Sequence, residues 1–137
     1  MANAEAMRSK DEMRECIDNC LACHRVCLET LADGLQRGGK HAEPRHLRLL
    51  MDCADICDTS ARFMLRGSDL HSRTCFACAE VCAACADACE KMSDEGMMKA
   101  CAEACRRCEE SCRRMSGGVM PQPVNPEAAQ RAADLPA

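Results

Sequence analysis

The sequence predicts an all-α fold, an antiparallel up-down-up-down four-helix bundle with a cysteine-lined core. Three observations carry this prediction. Apolar or cysteine residues recur at steps of three and four through four segments, glycine and proline punctuate the chain between them, and no stretch alternates with the period of a strand. A chain of 137 residues suits one domain built around one core.

The first helix is predicted over 9–36, where Ser9 and Glu12 have capping-box spacing and Gly38-Gly39 stops the pattern after Leu35. The second covers 44–66, with Pro44 suited to a first helical turn and Gly67 to a C-terminal stop. The third covers 69–92 and the fourth 95–116; Ser68 or Asp69 and Ser93 or Asp94 are their candidate caps, and Ser116-Gly117-Gly118 ends the last. Short connections force consecutive helices to run antiparallel, so residues 1–116 are expected to form the bundle. Residues 117–137 hold four of the five prolines and no apolar period, which reads as a flexible tail.

Sulfur replaces the usual core filling. Tyr and Trp are absent, Phe63 and Phe76 are the only aromatics, and the chain has 15 Cys and 10 Met. Such a cysteine fraction means a disulfide scaffold in a secreted chain and metal binding in a cytosolic one. The N-terminus has no apolar leader segment and no stretch approaches the ~20 apolar residues of a membrane span, so a cytoplasmic location with reduced thiols is expected. The net charge of -4, with no basic cluster, points to neither nucleic acid nor membrane as partner. No nucleophile pair, general base or phosphate loop suggests an enzyme.

The cysteines follow a rule. Cys16, Cys20, Cys23 and Cys27, then Cys75, Cys78, Cys82, Cys85 and Cys89, then Cys101, Cys105, Cys108 and Cys112 each step by three and four, the a/d seam of a bundle helix. Helix two keeps the same seam with fewer sulfurs: His46, Leu50, Cys53, Cys57, Ser60, Met64. Seven Cys-x-x-x-Cys pairs take up every cysteine except Cys75, which has His71 four residues before it.

Residues four apart on a helix hold their Cβ atoms about 5–6 Å apart, wider than the ~3.8 Å of a disulfide but suited to two thiolates bracketing an ion. Soft, d10 Cu(I) accepts two or three thiolates. One Cu(I) per thiolate also neutralises a dry core, whereas zinc tetrathiolate sites stay negative. Multiple Cu(I) ions per chain are therefore the first reading. A zinc or general soft-metal buffer of metallothionein-like type is the alternative. An iron–sulfur carrier and a disulfide-locked hairpin fit the spacing less well, and a few buried cysteines alone would read as ordinary core.

The segments Cys-Ile-Asp-Asn-Cys-Leu-Ala-Cys-His-Arg-Val-Cys at 16–27, Cys-Ala-Asp-Ile-Cys at 53–57, Cys-Phe-Ala-Cys-Ala-Glu-Val-Cys-Ala-Ala-Cys at 75–85 and Cys-Ala-Glu-Ala-Cys-Arg-Arg-Cys at 101–108 make the chain resemble the bacterial copper storage proteins, in their cytosolic branch. The resemblance covers roughly residues 9–116. It implies Cu(I) storage, ligation mainly by Cys-x-x-x-Cys pairs, and a homotetramer of bundles. Copper ions are the expected partner, with a chaperone or a small-molecule chelate as the candidate donor.

Layering antiparallel seams groups Cys16, Met64, Cys75 and Cys112 at one end, with Met13, His71 and Met115 just outside. Met64, His71 and Met115 are thus candidate auxiliary ligands at a copper entry, and His46 a further one at the opposite end. That end, with Leu31, Leu50, Met92 and Met98, reads as more apolar and closed. His24 and His41 lie off the seam and read as surface residues. Leu21, Leu28 and Leu35 on helix one, with Leu49, Ile56 and Phe63 on helix two, form flanking stripes that widen the core or meet another copy. Glu103–Arg107, Glu109–Arg113 and Glu110–Arg114 have the spacing of solvated ion pairs.

Overall fold

The computed structural model describes residues 2–92 and 96–117, with side chains from Ser9 onward. Four helices, α1 (Ala2–Arg37), α2 (Pro44–Leu65), α3 (His71–Glu90) and α4 (Met97–Met115), account for most of this, and a 3-10 turn spans Gly39–Ala42. α1 packs on α2 and α4, and α3 packs on the same two, so the helices stand in a square with their seams inward. None is long and apolar enough to cross a membrane.

Several helix ends differ from expectation. α1 begins at Ala2, so Ser9 and Glu12 lie within a helix and cap nothing. The reason is local propensity: Ala2, Ala4, Glu5, Ala6 and Met7 are good helix formers that carry the helix past the apparent signal. α2 starts at Pro44 as read, but the cap is Glu43, whose two carboxylate oxygens accept the backbone N–H groups of Arg45 and His46, each at 3.0 Å. Those bonds hold the Glu43 carboxyl below its ordinary range.

α2 ends in a Schellman turn: Ser68 N–H donates to Phe63 O and Gly67 N–H to Met64 O, both at 3.0 Å. Gly67 sits at φ 68, a conformation that only glycine adopts freely. Ser68 then closes the next turn, its hydroxyl accepting Leu70 N–H at 3.1 Å, instead of capping α3. α3 consequently starts at His71 with no side-chain cap, two residues later than the sequence suggests. The Ser93 and Asp94 caps, and the tail beyond Gly117, lie outside the described residues.

Small residues let the helices approach. Ala54, Ala61, Ala79, Ala86 and Ala102 are buried beside the seams, so sulfur fills the space between closely set backbones. At one corner Gly34 of α1 passes under the 3-10 turn, where His41 carbonyl oxygen lies too close for any β-carbon.

Candidate metal centre

All fifteen cysteines are buried free thiols. On α2 the seam is buried as the spacing predicts, from His46 through Leu50, Cys53, Cys57 and Ser60 to Met64.

The sulfurs form a continuous lattice. In the middle Cys23 Sγ is 3.7 Å from both Cys53 and Cys105, and Cys53 is 3.7 Å from Cys82. Toward the Met64 end, Cys57 lies 3.6 Å from Cys78 and from Cys82, and Cys20 lies 3.6 Å from Cys108 and from Cys112. The last step in that direction joins Cys16 to Cys112 at 3.6 Å. Toward the other end Cys27 lies 3.8 Å from Cys101. Spacing within helices is similar, with Cys23–Cys27 and Cys108–Cys112 at 3.9 Å and Cys78–Cys82 at 3.8 Å. Thiols on neighbouring helices are thus as available to an ion as those of one Cys-x-x-x-Cys pair.

These distances bear on coordination. With metal–thiolate bonds of ~2.3 Å, two sulfurs stand ~4.6 Å apart around a linear ion and ~4.0 Å apart around a trigonal one. The 3.6–3.9 Å contacts are shorter than the linear spacing and lie near both the trigonal value and the ~3.8 Å of a tetrahedral site. Sets such as Cys20–Cys78–Cys108–Cys112 and Cys27–Cys85–Cys101–Cys105, whose sulfurs all lie within 4.8 Å of one another, give each ion several thiolates to share.

Protons are unevenly held in this lattice. Cys20 is lowered to about 6 by hydrogen bonds from Cys108 and Cys112, and Cys101 to about 5 by those from Cys105 and Cys27. Cys105 is pushed up, first by its bond to Cys101, and Cys112 by its bond to Cys108.

Two polar contacts that sequence reasoning missed set the register of α1. His24, expected at the surface, is half-buried and donates Nδ1–H to the Ala54 carbonyl of α2 at 2.8 Å, beside the Cys23–Cys53 contact. Asn19 donates to Ser111 Oγ of α4 at 3.2 Å, beside the Cys20–Cys108 contact. An asparagine and a serine in mixed surroundings gave no periodic signal. His41 lies half-buried in the 3-10 turn.

At the Met64 end Cys16 meets Cys112 and Cys75 meets Met64, at 3.6 and 3.8 Å. Met64 is buried, Met13 and Met115 pack half-buried on the core, and His71 donates Nδ1–H to Ser68 O at 2.9 Å, which leaves its lone pair on Nε2. At the other end Leu50 and Met98 are fully buried, and His46 is 6% exposed with no hydrogen-bond partner for Nε2 among the described residues. A surface groove of about 610 Å³ bordered by Lys40, Leu49, Lys91 and Met92 reaches His46, so this end is less closed than its sequence suggests.

On the outside Glu109–Arg113 and Glu110–Arg114 pair at 2.8 and 3.1 Å. Arg106 joins α3 to α4 by meeting Asp87, Glu90 and Glu109, a hub not apparent from helical spacing alone.

Comparison with known proteins agrees with this interior. A Bacillus subtilis relative, the uncharacterized cysteine-rich protein YhjQ, is 35% identical over 66 residues, which span 48% of this chain and 61% of that protein. Among solved structures, the Nmul_A1745 protein of Nitrosospira multiformis is 46% identical with a TM-score of 0.74, over 78% of this chain and 96% of that one. The Cu(I)-bound copper storage protein BsCsp3 is 33% identical with a TM-score of 0.73, over 77% and 99%. A cytosolic copper storage protein from Streptomyces lividans, loaded with five coppers, is 32% identical with a TM-score of 0.69, over 80% and 96%. The family model described as copper storage protein matches residues 9–117, the four-helix region that holds every cysteine, and the chain belongs to the copper storage protein family.

Proposed function

We propose that this chain stores copper, holding many Cu(I) ions on cysteine thiolates inside the bundle. The observation that carries this reading is the lattice itself: fifteen buried free thiols, most of them within 4 Å of another, far more than one metal centre uses. Each Cu(I) that binds replaces one thiol proton, and neighbouring ions share thiolates, so charge in the dry core stays near neutral as the store fills. Neighbouring sulfurs under 4 Å apart let an ion pass from one set of thiolates to the next by ligand exchange.

Copper enters at the end where Met64, His71 and Met115 gather, since neutral thioether and imidazole donors accept the ion without trapping it. His46 and its groove mark the competing mouth. The store works in the cytoplasm, supplied by a chaperone or a small chelate, and has no catalytic role because its thiols leave no room for a substrate. The leucine stripe on α1, with Leu21 40%, Leu28 42% and Leu35 61% exposed, supports assembly of bundles into a homotetramer.

Four-sulfur sets within 4.8 Å would also suit zinc, so metal preference is the decisive test. In an anaerobic competition titration, Cu(I) displaces prebound Zn(II) completely and Zn(II) does not displace Cu(I). Retention of zinc against equimolar Cu(I) would favour the buffer.

A further inference from the structure

The lattice contains three triangles of thiols, each with every edge under 4 Å and none sharing a sulfur with another. Cys57 of α2 with Cys78 and Cys82 of α3 has edges of 3.6, 3.6 and 3.8 Å. Cys20 of α1 with Cys108 and Cys112 of α4 has edges of 3.6, 3.6 and 3.9 Å. Cys23, Cys53 and Cys105, from α1, α2 and α4, have edges of 3.7, 3.7 and 3.9 Å. All of these side chains are fully buried. An atom bonded at ~2.3 Å to three sulfurs so spaced stands roughly 0.9 Å out of their plane, at the apex of a shallow pyramid. Charge narrows the choice of atom. A monovalent ion on three thiolates leaves two negative charges in the dry core unless it shares them, and a divalent ion leaves one, whereas a trivalent centre leaves none.

We infer that these three triads are binding sites for trivalent arsenic, taken up as arsenous acid, so that the bundle sequesters a metalloid as well as a metal. Three-coordinate arsenic(III) is pyramidal, because a lone pair occupies its fourth position, and it needs no fourth thiolate. As a soft centre it prefers sulfur to oxygen. Binding is substitution at constant oxidation state. Three arsenic–oxygen bonds break, three arsenic–sulfur bonds form, and each thiol proton leaves with a hydroxide as water. No proton is released to solvent, in contrast to loading with Cu(I). Arsenous acid is uncharged at neutral pH and its trithiolate is uncharged too, so neither entry nor binding places a charge in the apolar interior. The inference requires only that the thiols are reduced, and it stands whether copper or zinc is the usual cargo.

The test titrates the reduced, metal-free full chain with sodium arsenite in anaerobic buffer. Intact-mass spectrometry counts bound arsenic and the three hydrogens lost with each, and X-ray absorption reads the neighbours of the arsenic atom. The titration breaks at three arsenics per chain, each with three sulfur neighbours and no oxygen. Changing Cys57→Ser and Cys78→Ser together lowers the break to two, while Cys16→Ser with Cys89→Ser, at positions that belong to no triad, leaves it at three. Arsenic held by two sulfurs and one oxygen, a break at any other number in the parent, or three arsenics in the folded Cys57 and Cys78 variant overturns the triads. Should that variant fail to fold, as judged by its far-ultraviolet circular dichroism, the coordination number and the break in the parent decide the question.

Discussion

Replacing Gly34 with alanine sets two opposing effects against each other in α1. Alanine is the better helix former by about 1 kcal/mol. The new β-carbon, however, would stand well under 3.0 Å from His41 carbonyl oxygen and 3.6 Å from Leu47 Cδ2. The oxygen belongs to backbone, in a 3-10 turn tied by His41 N–H to Gly38 O at 3.2 Å and followed directly by the Glu43 cap of α2, so no side-chain rotation relieves the overlap. Separating the turn from α1 costs about 3 kcal/mol, the upper part of the range for overpacking. The net is a loss of about 2 kcal/mol, or roughly 8 °C in Tm for a domain of this size. Thermal melts of the reduced, metal-free protein followed at 222 nm measure it. Copper capacity stays at the parent value, because Gly34 lies beyond Cys27, the last cysteine of α1. A Gly34→Ala protein that melts at or above the parent temperature refutes the close approach.

Further outcomes follow from the same structure. Metal-free protein is already helical, because protonated thiols pack as small apolar groups and the helices carry their own ion pairs; a random-coil spectrum before copper addition would contradict this. Changing Met64, His71 and Met115 to Leu, Phe and Leu slows copper uptake from a chelated donor and leaves final capacity within one ion of the parent. Unchanged kinetics there, with slowed uptake when His46, Met92 and Met98 are altered, would move the mouth to the other end. Burial opposes ionisation of Glu109, but Arg113 and Arg106 outweigh it and hold its carboxyl below the ordinary value. Its stabilising contribution is thus fully present above about pH 4.3, the usual unfolded value, and is lost as pH falls through the lower folded one. Metal-free Tm is therefore flat from pH 7 to about 5 in this respect and drops below it, and Glu109→Gln shows a shallower drop; equal acid slopes would disprove the coupling.

The seams were legible because cysteine is placed by one rule. Steps of three and four put Cys16 through Cys27, Cys75 through Cys89 and Cys101 through Cys112 each on a single stripe, and the same rule found His46, Ser60 and Met64 on the thiol-poor α2. Helix ends were less legible because different residues compete for them. A run of helix formers overrides the Ser9–Glu12 signal, Glu43 caps α2 although glutamate is not a preferred cap, and the turn at Gly67 uses Ser68 before α3 begins. Contacts between helices left no periodic trace. His24, Asn19 and Ser111 acquire their partners only once the helices are set side by side, and Gly34 has a purpose only because the 3-10 turn folds over it.

The central claim is a count of ions. Protein loaded anaerobically with excess Cu(I), freed of loosely bound metal and assayed for copper and total thiols, tests it most directly. Neutrality of a core with fifteen thiols predicts on the order of one Cu(I) per thiolate. Saturation at one to four ions per chain would contradict storage and make the protein a carrier or a sensor.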